Sequence, residues 1–424
     1  MTEDYLHYIY KYKLFDSQNC STIEGESIEF VDFGIHNMDS GPDFSQAKVK
    51  IGDTLWAGNV EIHINSSDWK KHNHQKDKAY DTVILHVVYN HDEEVKTTEG
   101  AIIPTLEIKN LFDYEGFANY QRFVFNPVPC IQNLKDVPEI IKNSMLDQML
   151  VERIISKTEI IKHELEVVSQ DWEQVFFQAI AKSMGLKVNA FPMEQMAKSI
   201  PFKVLKKLGD NQLAIEAILF GQAGFLDESK PENFYYCSLQ KEYQFHKSKH
   251  NLVSIKKESW KFSKMRPSNF PTLRIAQLAQ LILHNHQLFS SFINKEIQVE
   301  QIHKLLNISI ESGFWYSHYT FKTESKPAKK SMGKTLINSI VINTISPFIY
   351  LYGNYKADEV FKEKAIQLLE NLPSEDNKIT RVFEEKINIE NAAQSQGLIH
   401  CHNEFCVPKK CLDCSVGVYL LKGM

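Results

Sequence analysis

Two acidic residues and a histidine near the N-terminus carry the first chemical signal in this chain. Asp43 lies in Gly41-Pro42-Asp43-Phe44, and Glu61 and His63 lie in Glu61-Ile62-His63, eighteen residues beyond Asp43. Residues two apart on a strand leave the same face, so Glu61 and His63 present a carboxylate and an imidazole together. A hard cation takes several oxygens converging from rigid elements, and Asp43 with Glu61 begins such a set for Mg2+ or Mn2+. A cation held there would lower the pKa of a bound water and offset charge on a phosphorane-like transition state. His63 would orient or deprotonate that water, or ligate the metal and shift preference toward Mn2+ or Zn2+. Glu3, or Glu26 if the helix is read differently, would supply a further acidic group. The plainer alternative makes Asp43 a turn residue after Pro42 and puts Glu61 and His63 on the solvent side of an edge strand.

A histidine-rich stretch follows: Asp68, His72, His74, Asp77, Asp81, His86 and His91. His72 and His74 are candidates for contact with a substrate phosphate. On a helix their rings would point about 200° apart, a poor chelate unless the segment is extended. His86 sits in an apolar strand and reads as a hydrogen-bonded core histidine. Trp69 is expected to pack beneath a helix entrance at Asp68.

The seven cysteines divide into scattered Cys20, Cys130 and Cys237 and a tight C-terminal group, Cys401, Cys406, Cys411 and Cys414. Four thiolates suit tetrahedral Zn2+ or an Fe–S cluster, and the Cys411-x-x-Cys414 pair has the spacing of a metal knuckle. His400 and His402 are spare ligands if Cys401 points away, and Cys20 or Cys130 could replace Cys401. Lys409 and Lys410, in a turn after Pro408, would lower the thiol pKa values. An odd cysteine total with one tight cluster favours a reducing compartment over a disulfide framework, hence a cytoplasmic expectation.

Basic and aromatic residues interleave from Trp260 to Arg274. Arg266 and Arg274 are candidates to contact a phosphate backbone or splayed bases, the alternative being a loop anchored by its aromatics. The basic stretch at residues 322–334 reads as a loop. Asn338 and Asn343 read as polar groups buried in an apolar helix that breaks at Pro347.

A net charge of −5 supplies no global basic footprint, so a nucleic-acid partner would need a local patch. The apolar runs fall short of the ~18 residues that span a bilayer, and the start of the chain lacks the features of a signal peptide. No membrane partner is expected, and oligomeric state is not legible. At 424 residues, two or three domains are expected.

Periodicity places an amphipathic helix over residues 3–15. Strands follow at 27–33, at 47–51 with 54–56, and at 59–64, with a hairpin signal at Gly52-Asp53. A short helix capped by Asp68 runs to about residue 81, then an apolar strand covers 82–89 and a further one 101–108. Helices dominate thereafter: 136–168, 172–184, 192–208, 212–225, 272–310 and 355–371. This divides the chain into an α/β domain at 1–110, mostly helical domains at 111–398 and a cysteine-bearing C-terminus at 399–424. The fold class is α+β.

Two resemblances add to these readings. The strings GPDF, WAGNVEIH, SSDW, VILHVVY, YQRF, RPSNFPTLR, INTISPFIYLYG and KKCLDCSVG together resemble the bacterial domain-of-unknown-function family 2851, over nearly the whole chain. More distantly, residues 1–95 resemble the PD-(D/E)XK, restriction-endonuclease-like nuclease superfamily. Asp43, Glu61 and the element order α-β-β-β-α-β carry that likeness, with His63 standing where the superfamily pattern has lysine. It implies metal-dependent hydrolysis of phosphodiester bonds in DNA or RNA. The rival expectation is a non-catalytic nucleic-acid-binding or assembly protein that keeps a degenerate nuclease domain and a structural metal site.

Overall fold

The structure, a computed structural model, describes residues 1–37, 41–124, 126–227 and 233–423. It is a mixed α+β protein, with a sheet-rich N-terminal region followed by a mostly helical one. The chain forms two compact units, residues 1–145 with 401–424 and residues 146–400.

Among the described residues, the first unit holds a sheet of β1 (Cys20–Ser21), β2 (Ser27–Asp32), β3 (Ile35–His36), β4 (Phe44–Ile51), β5 (Thr54–Asn65), β6 (Val83–Asn90) and β7 (Thr105–Glu107). Its order is β1-β2-β4-β5-β6-β7, with β3 on β4. Pairing is antiparallel through β5 and parallel from β5 to β6 and β7. The two residues Gly52-Asp53 turn β4 into β5, with Gly52 at φ +55, a conformation that glycine adopts without steric cost. The pieces 54–56 and 59–64 are one strand, β5, because Ala57 and Gly58 continue the ladder.

Helix α1 (Glu3–Lys11) lays Leu6, Ile9 and Tyr10 against Phe44, Val60 and Ile62 of the sheet. Each such apolar side chain contributes about 1.5–3 kcal/mol on full burial. The helix is shorter than residues 3–15: Lys13 turns to φ +55 and Leu14 is left exposed. The opposite face of the sheet is covered by the segment between β5 and β6. There Trp69, fully buried, packs with Val83, Val95 and Ile103. Leu412 and Val418 join the α1 side of the core, so the cysteine-bearing C-terminus is part of this unit's packing.

The second unit is helical and has one large apolar core. Helix Trp172–Met184 has the predicted bounds, whereas the expected helix over 192–208 is two, Leu186–Lys198 and Phe202–Lys207. The apolar stretch around Pro347 does not break. Residues 334–356 form one helix, long and apolar enough to cross a membrane, with 72% of its most apolar window buried inside the protein. Its middle, Val341–Ile345, widens into a π-helical turn just before Pro347, which has no N–H to give an α-helical ladder. Asn338 is half-buried and Asn343 exposed, and Asn343 accepts a hydrogen bond from Lys157 at 2.5 Å.

The basic stretch 322–334 is not wholly a loop. Lys330–Ser331 pairs with Ser309–Ile310, and Lys330 is buried, its ammonium donating to the carbonyls of Trp315, Tyr316 and His318. Arg274 is also interior: 5% exposed, it donates to Gln277 and Asn269. Its guanidinium ties the turn at residues 267–269 to helix Pro271–His284, and is spent on protein rather than presented to solvent. Arg266 is exposed at the start of that turn.

Candidate metal centre

The strand β5 is interior, flanked by β4 and β6, and Glu61 on it is 4% exposed. Asp43 immediately precedes β4. Between Phe44 and Ala47 the ladder to β5 slips by one residue, a bulge in which Gln46 adopts φ +60. Such a bulge bends the strand and re-aims its end. The result is a reciprocal clasp: the Asp43 N–H donates to Glu61 Oε2 at 3.1 Å, and Asp43 Oδ2 accepts from the Ile62 N–H at 2.8 Å. Helix α1 contributes His7, whose Nε2 lies 3.2 Å from Asp43 Oδ2. Glu3, one turn earlier, sits within electrostatic reach of His7, Asp43, His72 and Asp68. A polar cavity of about 250 Å³ lined by Asp4, His7, Tyr8, Lys11, His36 and Asn37 adjoins this group.

The other oxygen of Glu61 faces a histidine cluster. Oε1 lies 3.2 Å from His74 Nε2 and 3.6 Å from His63 Nε2. His63 Nε2 is also 3.1 Å from His72 Nδ1, and His63 Nδ1 is 2.9 Å from His86 Nε2. His63 and His86 are both fully buried, and the register β5/β6 sets Glu61 beside His86. His86 is thus a core histidine that contacts the cluster through His63.

His72 and His74 come together because the helix expected to run to residue 81 stops early. Helix α2 covers only Asp68–Lys71, Asn73 turns to φ +64, and 3-10 turns follow at His74–Lys76 and Lys78–Thr82. Asparagine tolerates the left-handed conformation, and Asp77 caps the second turn by accepting from the Ala79 N–H. Helix α2 is entered at Ser67. Asp68 instead accepts from the Asn65 N–H and pairs with Lys71, while Asp92 grips the Ser66 hydroxyl and both the N–H and the hydroxyl of Ser67. Tyr80 stacks on His74 at 3.7 Å between ring centroids, and the Trp69 indole donates to the Lys96 carbonyl.

Burial dominates the electrostatics. It pushes the Glu61 carboxyl up to about 9, with the Asp43 carboxylate adding to the effect. It holds His63 and His86 down to about 3, reinforced by neighbouring imidazoles, and also lowers His74. Burial pulls His7 down too, but the hydrogen bond and charge of Asp43 outweigh it and its pKa is raised. Without a cation, then, Glu61 is a neutral carboxylic acid and His63 a neutral imidazole near pH 7.

The C-terminal thiols also gather. Cys401, Cys406, Cys411 and Cys414 are buried and none is in a disulfide. Cys401 hydrogen bonds with Cys406 and Cys414, which raises its pKa. Cys414 is held down to about 7 by that bond from Cys401 and by the N–H groups of Gly417 and Val416 at the start of helix Ser415–Lys422. Cys130 lies within electrostatic reach of Cys406, Cys414 and Cys411, whereas Cys20 donates to the Asp16 carbonyl. Lys409 donates to the carbonyls of Asn126 and Pro127, and its pull on Cys411 is outweighed by burial, which pushes that thiol up to about 12.

Asp43, Glu61, His63, His72 and His74 therefore form one contiguous group in the first unit, joined by His7 and Glu3. Position 7 gave no sequence signal beyond its place on an amphipathic helix. Arg266 and Arg274 belong to the second unit. No curated protein and no solved structure matches the chain. Residues 3–378 match the family described as "Protein of unknown function (DUF2851)", and the chain belongs to that family.

Proposed function

We propose that the first unit is a metal-dependent phosphodiesterase of restriction-endonuclease-like design, acting on DNA or RNA. The observation that carries this reading is the convergence of Asp43, half-buried, and Glu61, buried, clasped at the entrance of one strand and the middle of the next. The element succession supports it: α1, then β2, β4 and β5 antiparallel, the segment 68–82, and β6 parallel to β5. Glu3 on α1 adds the third acidic group. The donor set fits a divalent cation, since the buried Glu61 carboxyl, beside that of Asp43, keeps its proton unless positive charge is supplied. Mg2+ or Mn2+ bound there would supply an activated water and offset phosphoryl charge. Asp43 and Glu61 would hold the cation, and His63, neutral and aimed at Glu61, would accept a proton or complete the ligand set.

In the same reading the cysteine cluster is a structural knuckle for Zn2+ or an Fe–S cluster, with Cys130, within electrostatic reach of three of its thiols, as the alternative to Cys401. Free thiols throughout the described residues suit a reducing, cytoplasmic setting.

One observation favours the rival, a non-catalytic nucleic-acid-binding or assembly protein. At position 63 a fully buried imidazole, held neutral, replaces the lysine cation of the superfamily pattern. Cleavage of mixed-sequence DNA and RNA with Mg2+ or Mn2+ decides between them. The hydrolytic reading expects turnover that falls at least hundredfold in Asp43→Asn with the fold retained. Nucleic-acid binding without turnover, unchanged by that substitution, would establish the rival.

A further inference from the structure

We propose that His63, His72 and His74, together with Oε1 of Glu61, form a site for one borderline transition-metal ion of the Zn2+ class. Ligand atoms of the three imidazoles all lie within 4.8 Å of one another. A tetrahedral ion with bonds of about 2.0–2.1 Å holds its ligand atoms about 3.3 Å apart. Three edges of this group lie near that figure: 3.1 Å for His63 Nε2 to His72 Nδ1, 3.2 Å for His74 Nε2 to Glu61 Oε1, and 3.6 Å for His63 Nε2 to Glu61 Oε1.

The surroundings orient these atoms as a metal shell requires. His63 uses Nδ1 on His86 Nε2, which leaves Nε2 to face His72 and Glu61. A ligating histidine commonly engages its second nitrogen in this way, and the partner fixes tautomer and ring angle. His74 is clamped by the stacked Tyr80 ring and has Trp69 at its edge. His72 is the exposed member, so an ion has an entry side. The left-handed Asn73 between His72 and His74 makes the chelate; a continued helix would part the two rings.

Three nitrogens and one oxygen select Zn2+ or Co2+ over Mg2+. Glu61 is shared with the clasp on Asp43, one oxygen to each side, so the imidazole site adjoins the proposed hydrolytic centre without depending on it.

The test uses the full-length chain freed of metal and titrated with Co2+. An imidazole–carboxylate site yields visible ligand-field bands without thiolate charge transfer, which separates it from any ion on the cysteines. The expected result is one such equivalent, retained in excess Mg2+ and weakened at least tenfold in His72→Ala, whose exposed position spares the fold. His74→Gln serves as a second variant, with the cysteine signal as the internal measure of folding. Absence of the thiolate-free equivalent in the wild type, or wild-type affinity in both variants, would overturn the proposal. An intact equivalent in a protein that cleaves no nucleic acid would uphold this site and remove the hydrolytic reading alone.

Discussion

Glu61→Gln, studied on metal-free protein, should alter the pH profile of stability in a way that a protonated, buried Glu61 produces. Burial and the Asp43 carboxylate hold this carboxyl up at about 9, against 4.5 for the free side chain. Between those values the folded protein keeps a proton that the unfolded chain has released. Its contribution is fully present below pH 4.5 and is lost as pH rises toward 9, at about 1.4 kcal/mol per pH unit. His63 and His86 act in the opposite direction. Burial holds both down to about 3 from 6.5, so acidification below 6.5 charges them in the unfolded chain first and stability is lost. Between pH 4.5 and 6.5 these two histidines by themselves outweigh Glu61 by one proton, with the lowered His74 on their side, and above 6.5 Glu61 is joined by the raised His7. His63, His86 and Glu61 taken together thus give a stability maximum near pH 6.5, their share falling by about 1.4 kcal/mol per pH unit on each side. Glutamine matches the shape of the neutral carboxyl and does not titrate. In the variant, the alkaline arm should flatten by about 1.4 kcal/mol per pH unit relative to wild type, and the acid arm should steepen equally. Urea unfolding with a chelator present, from about pH 5.5 to about pH 8.5, measures both arms. Parallel profiles for the two proteins above pH 6.5 would refute the protonation state assigned to Glu61.

Binding of Zn2+ near pH 7 should release about one proton, from Glu61, read by calorimetry in buffers of differing ionisation enthalpy; no buffer dependence would contradict the assignment. Lys330→Met in the second unit strips one buried and two part-buried carbonyls of their donor and should cost roughly 3 kcal/mol in urea unfolding. Cys414→Ser should abolish metal retention at the C-terminal cluster, whereas Cys20→Ser, whose thiol bonds the Asp16 carbonyl, should leave metal content unchanged by elemental analysis.

The pairing of Glu61 with His63 was legible because strand periodicity forces residues two apart onto one face. The hairpin at Gly52-Asp53 was legible from turn chemistry alone. Burial of Glu61 was not: its depth comes from α1 on one side and the Trp69 segment on the other, both of which are tertiary facts. The meeting of His72 with His74 was hidden because the polar stretch after Asp68 reads as a helix, and the left-handed turn at Asn73 overrides that reading. Local composition misled in the second unit. Lys330 lies in a run that looks solvated, and Arg274 in one that looks like a phosphate-binding loop, yet both cations are interior and bonded to protein. The nearness of Cys130 to the C-terminal thiols depends on packing between distant parts of the chain and leaves no spacing signature.

Anomalous diffraction at a metal edge, from crystals of the full chain grown with Zn2+ or Mn2+, tests most directly whether Glu61 is the centre of a metal site. The account predicts a peak about 2.0–2.2 Å from a Glu61 oxygen, toward His63, His72 and His74 or toward Asp43. Peaks confined to the cysteines, with the Asp43 N–H still on Glu61 and no density beside it, would contradict it.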